Sequence, residues 1–307
     1  MGKKILIYII LILIVGGLTA AIFYRATGPA QTPFSADRPT VVASFYPLYF
    51  LASTIGGERA TVINLTPAGA EPHDYELTAQ DIAKIETSRL LIINGGGLEA
   101  WGQKIKDNIS ARTKIIVASD GLTDQTLADA KNQPDPHIWL DPTLAQKIAD
   151  KIALGLIETD PQNQDYYQAN AAMLKSKLAD LDNAYRVELS NCENKDIITA
   201  HAAFAYLARA YGLRQVAITG LAPEAEASPR QMVEISKFAR DKKINYIFFE
   251  SLVSPKLAQT IAAEIGAQTL VLNPLEGLNE DNLAAGKDYF SEMKNNLINL
   301  RTALKCQ

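Results

Sequence analysis

The chain has 307 residues, of which 48% are hydrophobic and 21% charged, and a net charge of −4. That is ordinary globular composition at a length that favours two domains. No Lys/Arg cluster stands out along the chain, which excludes a nucleic-acid footprint.

Met1-Gly2-Lys3-Lys4 is followed by an uncharged, mainly apolar run from Ile5 to Tyr24. The run is about as long as a bilayer crossing requires. Lys3 and Lys4 predict a cytoplasmic N-terminus, with the rest of the chain exported. Residues 1–25 therefore read as an N-terminal membrane anchor or signal. An uncleaved anchor is favoured because the run is long for a signal peptide; the competing reading is cleavage near Leu18-Thr19-Ala20-Ala21. No cysteine lies nearby, so a lipid-modified cysteine anchor is not expected. Residues 26–37, with Gly28, Pro29, Pro33 and Ser35, read as a linker.

From Thr40 short β-rich runs alternate with helical ones. Residues 38–158 predict an N-terminal α/β lobe, with strands at Thr40–Ala43, Thr61–Leu65, Leu90–Asn94 and Lys114–Val117. Helices are predicted at Leu48–Ile55, Thr78–Thr87, Leu98–Ile109 and Thr143–Glu158. Alternation of this kind argues for mainly parallel sheets flanked by helices. Residues 159–190 predict a connecting helix running from Pro161 to about Leu189, with Asp160 as its N-cap. Tyr167, Ala171, Leu174, Leu178 and Leu181 form one apolar stripe along it. At 1.5 Å per residue such a helix spans roughly 43 Å, enough to join two lobes. Residues 191–307 predict a C-terminal α/β lobe, with strands at Asp196–Ala200, Gln215–Ile218, Tyr246–Phe249 and Thr269–Leu272. Its helices are expected at Ala202–Tyr211, Pro229–Lys242, Pro255–Ile265 and Lys287–Leu304. The fold class is thus α/β, two lobes joined by one long helix. In an exported protein the two cysteines, Cys192 and Cys306, are expected to pair rather than stay as unrelated thiols.

The chain has only three histidines. His73 lies in the loop after the second strand, His137 in a Pro-bounded segment before a helix, and His201 at the end of a strand, where it is expected to open the next helix. Glu276 follows the last strand. In open parallel sheets ligands bind beyond the carboxyl ends of the strands. A cleft between the lobes would bring His73 and His137 together with His201 and Glu276. Three imidazoles and a carboxylate suit four-coordinate Zn²⁺, whereas Mn²⁺ favours more oxygen donors. Glu276 is the least certain of the four: Glu250, at the end of a strand, or water is the alternative fourth donor.

Several segments carry a family resemblance. They are Ser44-Phe45-Tyr46-Pro47, Glu71-Pro72-His73-Asp74-Tyr75-Glu76, His137-Ile138-Trp139-Leu140-Asp141-Pro142, Thr199-Ala200-His201-Ala202-Ala203-Phe204, Gly220-Leu221-Ala222-Pro223 and Phe249-Glu250. From Thr40 to Leu304 the chain resembles the metal-binding solute-binding proteins of zinc and manganese ABC importers. The resemblance implies a metal in the cleft between two lobes, ligands at His73, His137 and His201, and an ABC permease as partner. Histidine at the third position is similar to the zinc importers; glutamate there would resemble the manganese ones. Asn273 stands where many manganese members carry aspartate, and the Asn-Pro-Leu-Glu-Gly-Leu form resembles zinc members in which the glutamate closes the shell. Two features depart from the family. Gly121–Pro134 has no histidine, and the lipoprotein cysteine of many Gram-positive members is missing.

Among other residues, Glu250 is expected to be hydrogen-bonded near the lobe interface, Trp139 to pack, and Asp141 to cap the following helix. Asp74 or Glu71 would orient an imidazole or face solvent. The chain is expected to be a monomeric, extracytoplasmic zinc carrier and not an enzyme. The alternatives are a manganese-binding homologue and, further off, a zinc hydrolase using Glu250 or Glu276 as general base. Against the hydrolase, no His-Glu-x-x-His helix is present.

Overall fold

Strands only four residues long carry the architecture, and the β-branched and leucine side chains of the central ones are buried on both faces. Leu90–Ile93 is buried throughout, as expected for parallel strands covered by helices. The structure is a computed structural model and describes residues 38–127, 132–223 and 227–307. The expected anchor and linker, residues 1–37, lie outside the described residues.

The elements run β1 (Thr40–Ala43), α1 (Tyr46–Gly56), β2 (Thr61–Asn64), α2 (Ala79–Thr87), β3 (Leu90–Ile93), α3 (Gly102–Asn108), β4 (Lys114–Val117), α4 (Pro142–Thr159) and α5 (Gln164–Glu188). They continue with β5 (Asp196–Thr199), α6 (Ala205–Ala210), β6 (Arg214–Ala217), α7 (Pro229–Asp241), β7 (Tyr246–Phe249), α8 (Lys256–Ile265), β8 (Gln268–Val271), α9 (Glu280–Ala284) and α10 (Tyr289–Leu304). Two four-stranded sheets result, ordered β2-β1-β3-β4 and β6-β5-β7-β8. Every pairing is parallel. In each sheet the order in which strands are added reverses beside the first strand, between β1 and β3 and between β5 and β7. A topological switch of this kind leaves a crevice at the carboxyl ends of the strands.

Helix α5 joins the lobes. Its stripe of Tyr167, Ala171, Leu174, Leu178 and Leu181 is buried. One buried apolar cluster runs from Val41 and Trp139, through that stripe, to Phe248, Leu272 and Leu300. Each leucine fully buried there contributes about 1.5–3 kcal/mol. The two sheets therefore share a core within one compact unit, Pro39–Gln307.

Local chemistry corrects several expected boundaries. The connecting helix is shorter than expected because Pro161–Asn163 forms a 3₁₀ turn. Asp160 does not cap it; its carboxylate accepts from the Tyr167 hydroxyl at 2.6 Å and from Asn163 at 2.7 Å. Only Gly102–Asn108 of the expected Leu98–Ile109 helix forms, since Leu98 to Trp101 turn around the buried Glu99. Helix α9 was not expected; Asn279 caps it by accepting from the Asn282 N–H.

Cys192 and Cys306 form a disulfide across 114 residues of sequence, fastening the end of α10 to the segment before β5. Changing both cysteines to serine is expected to lower stability by about 2–4 kcal/mol, by releasing that loop in the unfolded chain. A denaturant titration of the double variant beside the oxidised parent checks this.

Candidate metal centre

All four candidate ligands lie beyond the carboxyl ends of strands, on loops with independent anchors. His73 sits in the loop after β2, which is tied to the opposite lobe where the Gly69 N–H donates to the Leu278 carbonyl at 3.1 Å. Gly69 has φ +79°, a turn conformation that glycine adopts without penalty. His137 follows Pro136, whose carbonyl accepts from Asn94 Nδ2 at 2.9 Å. After it a 3₁₀ turn leads into α4, where the Asp141 carboxylate accepts from the Thr143 N–H at 2.7 Å, as the sequence predicts for an N-cap.

His201 does not open a helix, because α6 starts only at Ala205. It stands in a turn whose backbone is held on both sides. Thr199 Oγ1 and Gln215 Nε2 donate to its carbonyl at 2.7 and 3.0 Å, and its N–H donates to Glu250 Oε1 at 3.1 Å. Glu276 closes the group from the loop after β8.

The Nε2 atoms of the three histidines and Oε1 of Glu276 converge. His137 Nε2 is 3.3 Å from His73 Nε2, 3.4 Å from His201 Nε2 and 3.0 Å from Glu276 Oε1. Glu276 Oε1 is 3.3 Å from His73 Nε2 and 3.4 Å from His201 Nε2. All four donors lie within 4.8 Å of one another. A tetrahedron with metal–nitrogen bonds of about 2.0–2.1 Å has edges of roughly 3.3–3.4 Å. The five distances above, 3.0–3.4 Å, are close to those edges, and the His73–His201 pair lies within 4.8 Å.

The outer nitrogens fix the tautomers. His137 Nδ1 lies 2.7 Å from Asp135 Oδ1, and His201 Nδ1 lies 2.6 Å from Glu250 Oε1. With Nδ1–H donating to a carboxylate, each Nε2 turns its lone pair inward, the arrangement that metal-binding histidines use. Glu250 is thus committed to His201, in keeping with its expected structural role. Asp135 escaped the sequence reading, although a carboxylate two residues before His137, across a proline, was visible. Asp74 is exposed. Asn273 is turned away, its amide donating to Glu292 at 3.0 Å and its Oδ1 accepting from the Leu275 N–H at 2.8 Å. Trp139 packs edge-on against Phe45.

Burial makes these charges strongly interdependent. His73 is 8% exposed at its side chain, His137 and His201 are 0% and Glu276 is 1%. Burial disfavours charge on both His137 and His201, yet Asp135 and Glu276 hold His137 above its ordinary value, and Glu250 and Glu276 hold His201 well above it. Glu276 is likewise desolvated, but the imidazoles of His201, His137 and His73 keep it well below the usual carboxylate range. Glu71 is pushed up to about 9 by burial and by the Glu276 charge. Glu276 Oε2, Glu71 Oε2 and Asp135 Oδ2 are buried without a hydrogen-bond partner in the protein.

A family model described as zinc-uptake complex component A, periplasmic, matches residues 41–303. The high-affinity zinc uptake system protein ZnuA of Bacillus subtilis is 37% identical over 296 residues, covering 91% of this chain and 93% of that protein. The zinc-binding lipoprotein AdcA of Streptococcus pneumoniae is 38% identical over 270 residues, 84% of this chain; the chain spans only 54% of that longer relative. The crystal structure of the Zn(II)-bound ZnuA-like domain of AdcA superposes with a TM-score of 0.77 at 38% identity, covering 87% of this chain and 99% of the domain. The laminin-binding protein Lmb of Streptococcus agalactiae gives 0.80 at 33% identity, covering 87% and 100%.

The raised imidazoles give the metal-free protein a pH signature. A group whose pKa rises on folding contributes its full stability below the unfolded value, here 6.5, and loses it as pH climbs through the folded value. Glu71 acts in the same direction between its ordinary 4.5 and about 9. Melting of the chelator-treated protein is therefore expected to move to lower temperature between about pH 6 and pH 9. Asp135→Asn and Glu250→Gln are expected to flatten that fall.

Proposed function

This chain belongs to the periplasmic zinc-uptake complex component A family, and we propose that it captures Zn²⁺ outside the cytoplasm and yields it to the permease of an ABC importer. His73, His137, His201 and Glu276 are the ligands in this reading. The observation that carries it is a buried cluster of four converging donor atoms, two of its imidazoles fixed from behind by Asp135 and Glu250. Three nitrogen donors suit zinc better than manganese. A closed shell suits a carrier better than a hydrolase, because catalytic zinc keeps one position open for water. His73 is the most exposed corner, and a cavity of about 350 Å³ opens onto it beside Asp74, Gly96 and Leu221. The ion enters and leaves there, at the ligand whose displacement disturbs the core least.

The same reading divides the molecule into a lobe at 38–158, a connecting helix at 159–190 and a lobe at 191–307. The Ile5–Tyr24 run tethers the monomer to the outer face of the membrane. Sharing one core across α5 favours release by local loop motion over wide opening of the lobes.

Zinc at 100 times its Kd is expected to add about 2.7 kcal/mol of stability, read as a rise in melting temperature. No rise would end the carrier reading. Asp135→Asn is expected to weaken zinc binding about 10- to 100-fold, and alanine at any of the three histidines to weaken it more. His201→Glu, which exchanges nitrogen for oxygen, is expected to move the Zn²⁺/Mn²⁺ preference toward Mn²⁺ in competitive titration. Apparent zinc affinity is expected to fall with acid, since protons held on His137 and His201 compete for the same lone pairs.

A further inference from the structure

Leu275 has φ +58°, the left-handed region that a bulky side chain rarely occupies, and it is 0% exposed. It stands immediately before Glu276. Strain of this kind persists only where surrounding contacts over-determine it, and such positions cluster at ligand clamps.

The contacts are specific. Asn273 Oδ1 accepts from the Leu275 N–H at 2.8 Å. Asn273 is itself locked onto α10: its N–H donates to Asn296 Oδ1 at 2.8 Å, and its carbonyl accepts from Asn296 Nδ2 at 2.7 Å. From the other lobe, Trp139 Nε1 donates to the Pro274 carbonyl at 2.7 Å. The Tyr289 hydroxyl of α10 returns to the Trp139 carbonyl at 2.6 Å. Trp139 lies two residues after His137, and Pro274 two residues before Glu276. The two ligands of opposite lobes are thus joined by a short polar bridge that needs no metal.

We infer that Trp139 and Asn273 are positioning residues for Glu276. Together they hold Leu275 in its left-handed conformation and aim the carboxylate at the three imidazoles before an ion arrives. The inference rests on Glu276 being a ligand. It assigns Trp139 a role beyond packing and gives Asn273 a task other than coordination. It also makes Glu276 and His137 a fixed side of the site, so that His73, the most exposed of the four, supplies the motion.

The test is a double-mutant cycle on zinc affinity, with metal-free melting to confirm folding and the visible spectrum of the Co²⁺ form to report the donor set. Trp139→Phe keeps an aromatic side chain, though a smaller one, and removes the indole N–H; Asn273→Ala removes the acceptor for Leu275. Each is expected to weaken zinc about 10- to 100-fold, the range for loss of an outer partner. In a Glu276→Gln background each is expected to weaken it by less than about threefold further, because the residues act as one unit. The Co²⁺ spectra of both single variants should shift in the manner of Glu276→Gln. Fully additive losses, or Co²⁺ spectra unchanged from the parent, would overturn the positioning role while leaving Glu276 a ligand. An undiminished zinc affinity in Glu276→Gln alone would instead overturn the ligand reading, and the positioning role with it. If Trp139→Phe does not fold, Asn273→Ala decides between these outcomes.

Discussion

Everything in this molecule answers to one constraint: three imidazole lone pairs and a carboxylate are held at van der Waals distance in a site almost without water. His137 Nε2 faces the other two ring nitrogens at 3.3 and 3.4 Å. Their Nδ1 atoms cannot relieve the crowding for His137 and His201, because each is bound to a buried carboxylate. Lone pairs brought together in low dielectric repel unless a cation or protons lie between them. The neighbouring carboxylates favour protons on these rings: Asp135 and Glu276 raise His137, Glu250 and Glu276 raise His201, and the imidazoles in turn lower Glu276, all against burial. A divalent ion held by His73, His137, His201 and Glu276 would take the place of protons among these donors. The same geometry explains both the appetite for metal and the cost of being without it.

The fold supplies the rigidity that such crowding demands. Short parallel strands place the loops, and the switch points of the two sheets put Ser44 and Asn94 in one lobe, and His201 and Glu250 in the other, at facing crevices. Glu99, buried under the Gly95–Gly97 turn, accepts from Ser44 Oγ at 2.6 Å and from the Asn94 N–H at 2.7 Å, and Asn94 in turn holds Pro136. The anchor of His137 therefore reaches back to β1 and β3. Behind the site, the continuous core along α5 keeps the lobes from drifting apart.

Most of the architecture was legible because its signals are local. The β-branched runs, the α5 stripe at helical spacing and the Asp141 cap each follow from a few neighbouring residues. The three histidines that converge were also legible, since scarce histidines after strand ends are conspicuous; Glu276, an ordinary loop carboxylate, was the least certain of the group. What escaped depends on contacts distant in sequence. Asp160 looks like a helix cap, yet Tyr167 one helical turn beyond the 3₁₀ segment takes its carboxylate. His201 looks like the start of a helix, but hydrogen bonds from Thr199 and Gln215 hold its carbonyl in a turn. Asn273 reads as a poor ligand; only its partners Asn296 and Glu292 on α10 reveal that it is structural.

The donor set also separates holding an ion from using one. A zinc ion that activates water needs a vacant corner and a nearby base with a free lone pair. Here Glu276 Oε1 stands 3.0 Å from His137 Nε2, among the three imidazoles, and Glu250, the other carboxylate deep in the second lobe, is bound to His201 through both the ring and the backbone N–H. Both carboxylates are thus engaged with the imidazoles. What the site retains instead is asymmetry: three corners fully enclosed and one, His73, on a loop reaching the surface. A shell that is rigid at three corners and accessible at one binds firmly yet has a defined place to open, and that is the requirement of a carrier.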